Sequence, residues 1–143
     1  MNITLHNLSL STHSTFYKKV FENLSATDLT SGQPKVLDYL KYHDGCVQKD
    51  IATACEIESS TVTSLLLRME QADLIERKML NGNRRSLYVF LTDKGRKAVE
   101  RVSDVFDELE KVAFDGFSKE EQTDFLQKFF KIYNNLTKEN ELK

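Results

Sequence analysis

The 143-residue sequence has no tryptophan, one proline, five glycines, two cysteines and three histidines. Each shortage excludes something. With so little proline and glycine, few positions can interrupt a helix, and long uninterrupted helices are expected. Cys46 and Cys55 cannot build a disulfide framework and suit a reducing cytoplasm. His6, His13 and His43 are scattered, and no Cys/His cluster has zinc spacing, so neither a metal nor a cofactor is expected. A glycine-rich phosphate loop and a nucleophile elbow are both missing. No carboxylate falls in the apolar setting of a tuned acid–base pair, which argues against an enzyme. No apolar run approaches the roughly 18 residues of a membrane span. Met1 to Leu10 lacks the basic start and continuous apolar stretch of a secretory signal.

What is present reads as an ordinary globular chain, 40% hydrophobic and 29% charged. Its length fits one domain, 1–143. A formal charge of −2 argues at first against a polyanionic partner, but the average hides a segregation. From Ile75 to Arg101 eight basic residues (Arg77, Lys78, Arg84, Arg85, Lys94, Arg96, Lys97 and Arg101) face three acids, for +5. Residues 1–74 carry −3 and residues 102–143 carry −4. The basic middle is the part to place.

Hydrophobic periodicity predicts the elements. Leu5, Leu8, Phe16, Val20 and Leu24 form one stripe of a helix over about 6–24. A second helix covers 31–43, with Thr30 and Gln33 at capping-box spacing, Pro34 in the first turn, and Val36, Leu37 and Leu40 inward. After a break at Asp44-Gly45, short helices follow at about 48–54 and 59–73. The period then changes. Ile75–Leu80 and Arg85–Leu91 suit strands, and the Asn81-Gly82-Asn83-Arg84 between them signals a hairpin. Thr92 is a candidate N-cap for a helix in which Val99, Val102, Phe106, Leu109 and Ala113 step 3-4-3-4. Gly116 ends it, and Ser118 with Glu121 opens a last helix through Phe125, Phe129, Ile132, Tyr133 and Leu136. Thr137 to Lys143 is expected to fray.

Two short helices followed by a hairpin with a basic tip are the parts of a winged helix-turn-helix. The second helix of such a unit fits the major groove. Ser59, Ser60, Thr61, Thr63 and Ser64 offer short polar groups on its exposed side, with Arg68 one turn beyond Ser64. Val62, Leu65, Leu66 and Met69 take the buried side. On the wing, Arg84 and Arg85 suit a narrow minor groove, and Lys78 and Arg77 could reach flanking phosphates. The expected architecture is mainly α with a small β-hairpin wing. The DNA-binding lobe spans about 30–95, and dimerisation helices span about 5–25 and 96–137. The Val99–Ala113 seam, Phe125, Phe129, Phe130 and Tyr133, together with Phe16, Tyr17 and Phe21, suit a helical core shared between protomers.

The runs Leu29-Thr30-x-x-Gln33-x-x-Val36-Leu37-x-x-Leu40, Gln48-x-x-Ile51-Ala52, Ser60-Thr61-Val62-Thr63, Leu74-Ile75-Glu76-Arg77 and Leu91-Thr92-x-x-Gly95 occur in order at the spacing of the MarR family. The sequence resembles that family over about residues 29–100. The resemblance implies a cytoplasmic homodimeric transcription regulator whose two winged lobes bind a pseudo-palindromic double-stranded DNA operator. It carries the recognition-helix contacts onto Ser59, Ser60, Thr61, Thr63, Ser64 and Arg68, and the wing contact onto Arg85. It further implies repression relieved by a small aromatic or anionic effector. The candidate pocket residues by placement are His13, Phe16, Tyr17, Tyr39 and His43.

Three positions depart from the family pattern. Asn83-Arg84-Arg85 stands where an Asp-x-Arg is usual, Ser64 stands where many members have a basic residue, and Glu56 stands at a turn that often carries glycine. Two alternatives remain: a winged-helix adaptor that binds protein rather than DNA, and a cysteine redox sensor of the same family. Against the second, residues 1–45 contain no cysteine, and Asp44 is the nearest charge to Cys46.

Overall fold

The computed structural model describes residues 1–80, 82 and 86–141. Arg84 and Arg85, with Asn81 and Asn83 of the predicted turn, lie outside the described residues, as do Leu142 and Lys143. The element order is α1 (Leu5–Asn23), α2 (Gln33–Leu40), β1 (Cys46–Val47), α3 (Gln48–Ala54), α4 (Ser59–Gln71), β2 (Ile75–Lys78), β3 (Tyr88–Leu91), α5 (Asp93–Ala113) and α6 (Lys119–Glu141). The chain falls into two compact units, Met1–Leu109 and Glu110–Lys143.

In the first unit, an antiparallel sheet of order β1-β3-β2 leans on the helices. Its central strand pairs Val89 with both Cys46 and Arg77. The sequence predicts β2 and β3 but misses β1. A two-residue strand carries no readable alternation, and Cys46–Val47 is held by its neighbours: Gly45 N–H donates to Val89 O and Gln48 N–H to Leu87 O. The wing strands are also shorter than predicted. Lys78 pairs with Tyr88, so residues 79–87 fall between the strands and the connection is longer than a tight Asn-Gly hairpin.

The core joins every element of this unit. Val20 and Leu24 come from α1, Val36, Leu37 and Leu40 from α2, and Ile51 from α3. Val62, Leu65, Leu66 and Met69 come from α4, Ile75, Val89 and Leu91 from the sheet, and Val99, Val102 and Val105 from α5. The predicted α5 seam is therefore largely covered within the chain. Phe106 stacks on Phe16 with ring centroids 5.8 Å apart, and Leu109 packs on the same core. Val99 and Val102 are thus buried within the chain itself, while Phe106 and Leu109 are only half-buried. Leu5 and Leu8 at the start of α1 remain exposed.

The predicted caps are partly realised. Gln33 Oε1 accepts the Thr30 N–H at 3.0 Å, but α2 starts at Gln33, with Gly32 rather than Thr30 as its N-cap. Thr92 Oγ1 accepts the Gly95 N–H at 2.9 Å, and Ser118 Oγ accepts the Glu121 N–H at 3.1 Å. In the second unit α6 runs to Glu141 instead of fraying from Thr137. Thr137 bonds back to the Tyr133 carbonyl at 3.1 Å, and Lys138 sits in the last turn, where a cation suits the helix dipole.

Two close fits set the geometry of the lobe. A Cβ on Gly95 would lie 2.0 Å from Leu74 O, so only glycine lets the start of α5 approach the end of α4. At the α3–α4 turn, Ile57 N–H bonds to Ala52 O and Glu56 N–H to Thr53 O, the paired bonds of a Schellman stop. That motif places Glu56 at a φ of 52°, where a side chain costs about 1–2 kcal/mol. The two sites make opposite predictions for thermal or denaturant unfolding. Gly95→Ala should lose about 2–3 kcal/mol because backbone cannot yield as a side chain can. Glu56→Gly should gain up to about 1 kcal/mol, less whatever the looser unfolded chain takes back.

Candidate nucleic-acid interface

α4 has two faces because its apolar residues recur at helical spacing. Val62, Leu65, Leu66 and Met69 are buried, while Ser59, Ser60, Thr61, Thr63, Ser64 and Arg68 are exposed. Five of those six carry short hydroxyls, so the first turns of the free face are polar without bulk, and Leu67, 44% exposed, follows one turn on. Arg68 lies along its own helix, Nε to Ser64 O at 3.5 Å. The first turn of α4 borders a cleft of about 330 Å³, where Ser59 and Val62 face Gln48 and Lys49 of α3 and Ser86 and Leu87 beside the wing.

Several interactions hold α4 in place. Its C-terminal end closes with a second Schellman pair, Leu74 N–H to Met69 O and Asp73 N–H to Glu70 O, with Asp73 at a φ of 62°. The start of α5 then takes the carbonyls just past the helix. Lys94 Nζ donates to Ala72 O at 2.8 Å, Thr92 Oγ1 to Asp73 O at 2.6 Å, and Thr92 N–H to Leu74 O at 3.1 Å. A third clamp comes from the sheet. Arg77 on β2 donates through Nη2 to Glu70 Oε1 at 3.2 Å and through Nε to Glu70 Oε2 at 3.3 Å. Its Nη1 reaches Gln48 Oε1 at 3.5 Å, and Gln48 Nε2 donates to Thr63 Oγ1 at 2.8 Å.

Arg77 is thus turned inward, its side chain only 14% exposed, which corrects the expectation that it reaches a flanking phosphate. Other charges of the basic middle also have local partners. Lys78 pairs with Glu76 at 3.3 Å and lies over the Phe90 ring. Arg96 binds Asp93 and the Leu91 carbonyl, and Arg101 Nη2 donates to Asn23 O. Cations of this segment therefore cap carbonyls and pair carboxylates, and of those carboxylates only Glu70 lies outside the +5 count. The roles of Gln48 and Glu70 have no signature in the sequence. Gln48 lies in a recognisable run, but nothing in the run says which way its amide points.

The proposed effector residues divide. His13 and Tyr17, ring centroids 4.8 Å apart, line a cavity of about 160 Å³ with Phe21, Ser31, Gly32, Pro34 and Lys35. Burial, then Asp38 and Cys55, raise the Tyr17 phenol above its ordinary value, so it keeps its proton at neutral pH. Phe16 packs on Phe106, and Tyr39 stacks on His43 at 4.2 Å. None of those three predicted residues is in the cavity lining.

The cysteines are set against reactivity. Burial, with Asp50 and Asp44 nearby, pushes the Cys46 thiol up to about 11. Burial also raises Cys55, whose Sγ donates to Lys35 O at 3.6 Å. Cys46 has no cationic setting, and at Cys55 burial and Asp38 outweigh the lowering effect of Lys35, so neither is primed as a thiolate. Among the described residues no group of His, Cys, Asp or Glu could hold a metal, and no helix is long and apolar enough to cross a membrane.

The side-chain hydrogen bond from Arg77, aided by its charge and its backbone N–H, holds the Glu70 carboxyl below its ordinary value of 4.5 against the opposing effect of burial. A depressed carboxyl contributes stability that is complete above the ordinary value and is lost as pH falls through the folded one. The stability gap between the native chain and Glu70→Gln should therefore hold from pH 7 to about 5 and narrow below about 4.5. Urea titrations at each pH measure it, and a gap indifferent to pH would remove this role from the pair.

Comparison with known proteins follows the same lobe. The sequence profile of the MarR family matches residues 29–87. The chain is 41% identical over 73 residues to the HTH-type transcriptional regulator PecS of Dickeya dadantii, covering 51% of this chain but only 44% of PecS. It therefore spans less than half of that relative's length. It is 30% identical over 106 residues to the HTH-type transcriptional regulator MgrA of Staphylococcus aureus, covering 74% and 70%. The structure superposes on S. aureus MepR from its complex with DNA at a TM-score of 0.85 and 31% identity, over 94% of this chain and 99% of that one. With the winged lobe and these relatives together, the chain belongs to the MarR family.

Proposed function

We propose that this chain is a sequence-specific double-stranded DNA-binding transcription regulator. On this reading it acts as a homodimer in the cytoplasm, represses from a pseudo-palindromic operator, and is released by a small aromatic or anionic effector. The observation that carries the reading is the two-faced α4, clamped on its apolar side and free along Ser59, Ser60, Thr61, Thr63, Ser64 and Arg68. An α-helix is about 10–12 Å across with its side chains, and the major groove is about 12 Å wide. Lys78, Arg84 and Arg85 of the wing supply the flanking backbone or minor-groove contacts. The crystallised DNA complex of MepR supports the same reading.

The dimer is supported by apolar surface with no cover in the second unit. Phe125, Phe129, Phe130 and Tyr133 of α6 are 46%, 46%, 63% and 53% exposed. Rings at this spacing form a stripe that water solvates poorly, and a two-fold partner offers the same stripe back. Two-fold symmetry sets two copies of α4 on successive half-sites about 34 Å apart.

Fluorescence anisotropy on a duplex selected from a random library tests both parts. Affinity should fall steeply with salt, and Arg68→Ala and Arg85→Ala should each flatten the log–log slope by about one per lost phosphate contact. Phe129→Asp should sediment as a monomer and bind the paired half-sites far more weakly. Affinity indifferent to salt and to both arginines would leave the protein-binding adaptor as the better reading.

For the effector, the cavity beside His13 and Tyr17 has room for a single ring, with Lys35 as the cation for a carboxylate. Such a ligand releases DNA only by favouring one arrangement of the lobes over another. Benzoate should lower the DNA affinity of the native chain and leave Lys35→Met unaffected. Equal release from both proteins would move the effector site elsewhere.

A further inference from the structure

The hydrogen bonds that lead to Thr63 run in one direction. A guanidinium has donors and no acceptor, so the group facing Arg77 Nη1 must be the oxygen of the Gln48 amide, at 3.5 Å. That orientation leaves Nε2 to face Thr63 and donate to Oγ1 at 2.8 Å. Thr63 accepts this bond and sends its own proton to Ser59 O at 3.0 Å. The backbone of Gln48 is pinned as well, its N–H donating to Leu87 O at 3.0 Å. Thr63 is exposed on the free face of α4, yet its hydroxyl has no proton left to give a base. What the exposed side chain has left is one acceptor site on its oxygen and its γ-methyl group.

An apolar contact from a threonine methyl is one of the few ways to single out thymine, whose 5-methyl projects into the major groove. Resting on the DNA-binding reading above, we infer that Thr63 is a specificity-determining residue that reads thymine through its methyl. Gln48, oriented by Arg77, is the positioning residue that keeps the hydroxyl turned away. This reverses the obvious role of a threonine among serines, which would be to hydrogen-bond a base edge.

Deoxyuridine differs from thymidine only by the missing 5-methyl, so the test replaces thymines of the selected duplex one at a time in both half-sites. For the native full-length chain, one position should cost about fourfold in affinity per half-site, the worth of one buried methyl group. Thr63→Val keeps the methyl and should show the same loss. Thr63→Ser keeps the hydroxyl and should bind thymine and deoxyuridine duplexes alike. Gln48→Ala should bring the ratio towards one with the salt slope unchanged, which a purely structural role would not do. Discrimination kept by Thr63→Ser and lost by Thr63→Val would overturn the inference, as would a native chain insensitive to every replacement. If the native chain instead selects no duplex and binds none with salt dependence, the DNA-binding reading falls first, before any variant is compared.

Discussion

Arg77 is the point on which the winged lobe depends. Its side chain is largely withdrawn from water, and a cation so placed must be paired or it costs stability. Glu70 supplies the countercharge from α4, and the pair joins α4 to β2. The third donor then reaches α3 through Gln48. A single residue thus fixes the distance between wing and helix and the direction of every bond beyond it. Without it, α4 would keep its apolar packing but lose its angular relation to the wing, which packing alone does not specify.

The other end of α4 is held by a different device. The residues after a helix end also expose carbonyls, and here the chain itself returns to take those of Ala72 and Asp73, through Lys94 and Thr92 at the start of α5. That return is possible only because Gly95 brings no side chain against Leu74 O. The two clamps act on the buried side and the end of the helix and touch the hydroxyl face only at Thr63, so the rest of that face stays open. Rigidity and exposure come from the same arrangement rather than competing with each other.

Much of this was legible in the sequence, for physical reasons that differ by element. The apolar faces of α2, α4 and α5 follow from spacing, because burial in a small lobe leaves no room for a polar residue on the inner side. Thr92 and Ser118 announce helix starts through the N–H groups that follow them. Glu56 stands where the family often carries glycine, and its positive φ gives the reason. Other features carried no signal. β1 is too short to alternate, and Cys46–Val47 pairs only because Tyr88 and Val89 are beside it. Arg77 reads as a surface cation until Glu70 is known to lie across from it. The step of Val99, Val102, Phe106 and Leu109 marks an apolar face but not whose surface covers it, and Phe16 of the same chain does part of that.

The charge distribution has a consequence for how such a lobe could hold DNA. Several cations of the basic middle are spent on Glu70, Glu76, Asp93 and backbone carbonyls. A body of net charge −2 attracts a polyanion only weakly at long range. On the DNA-binding reading, one lobe then has short-range contacts from α4 and the wing, and little else, so it binds weakly by itself. Two lobes fixed on one frame add their contacts while losing translational freedom only once, which raises affinity without any new contact. The uncovered aromatic stripe of α6 is what such a frame requires. A winged lobe whose charges cancel over residues 30–95 and that relies on shape and short hydroxyls needs a second copy more than a strongly basic one does.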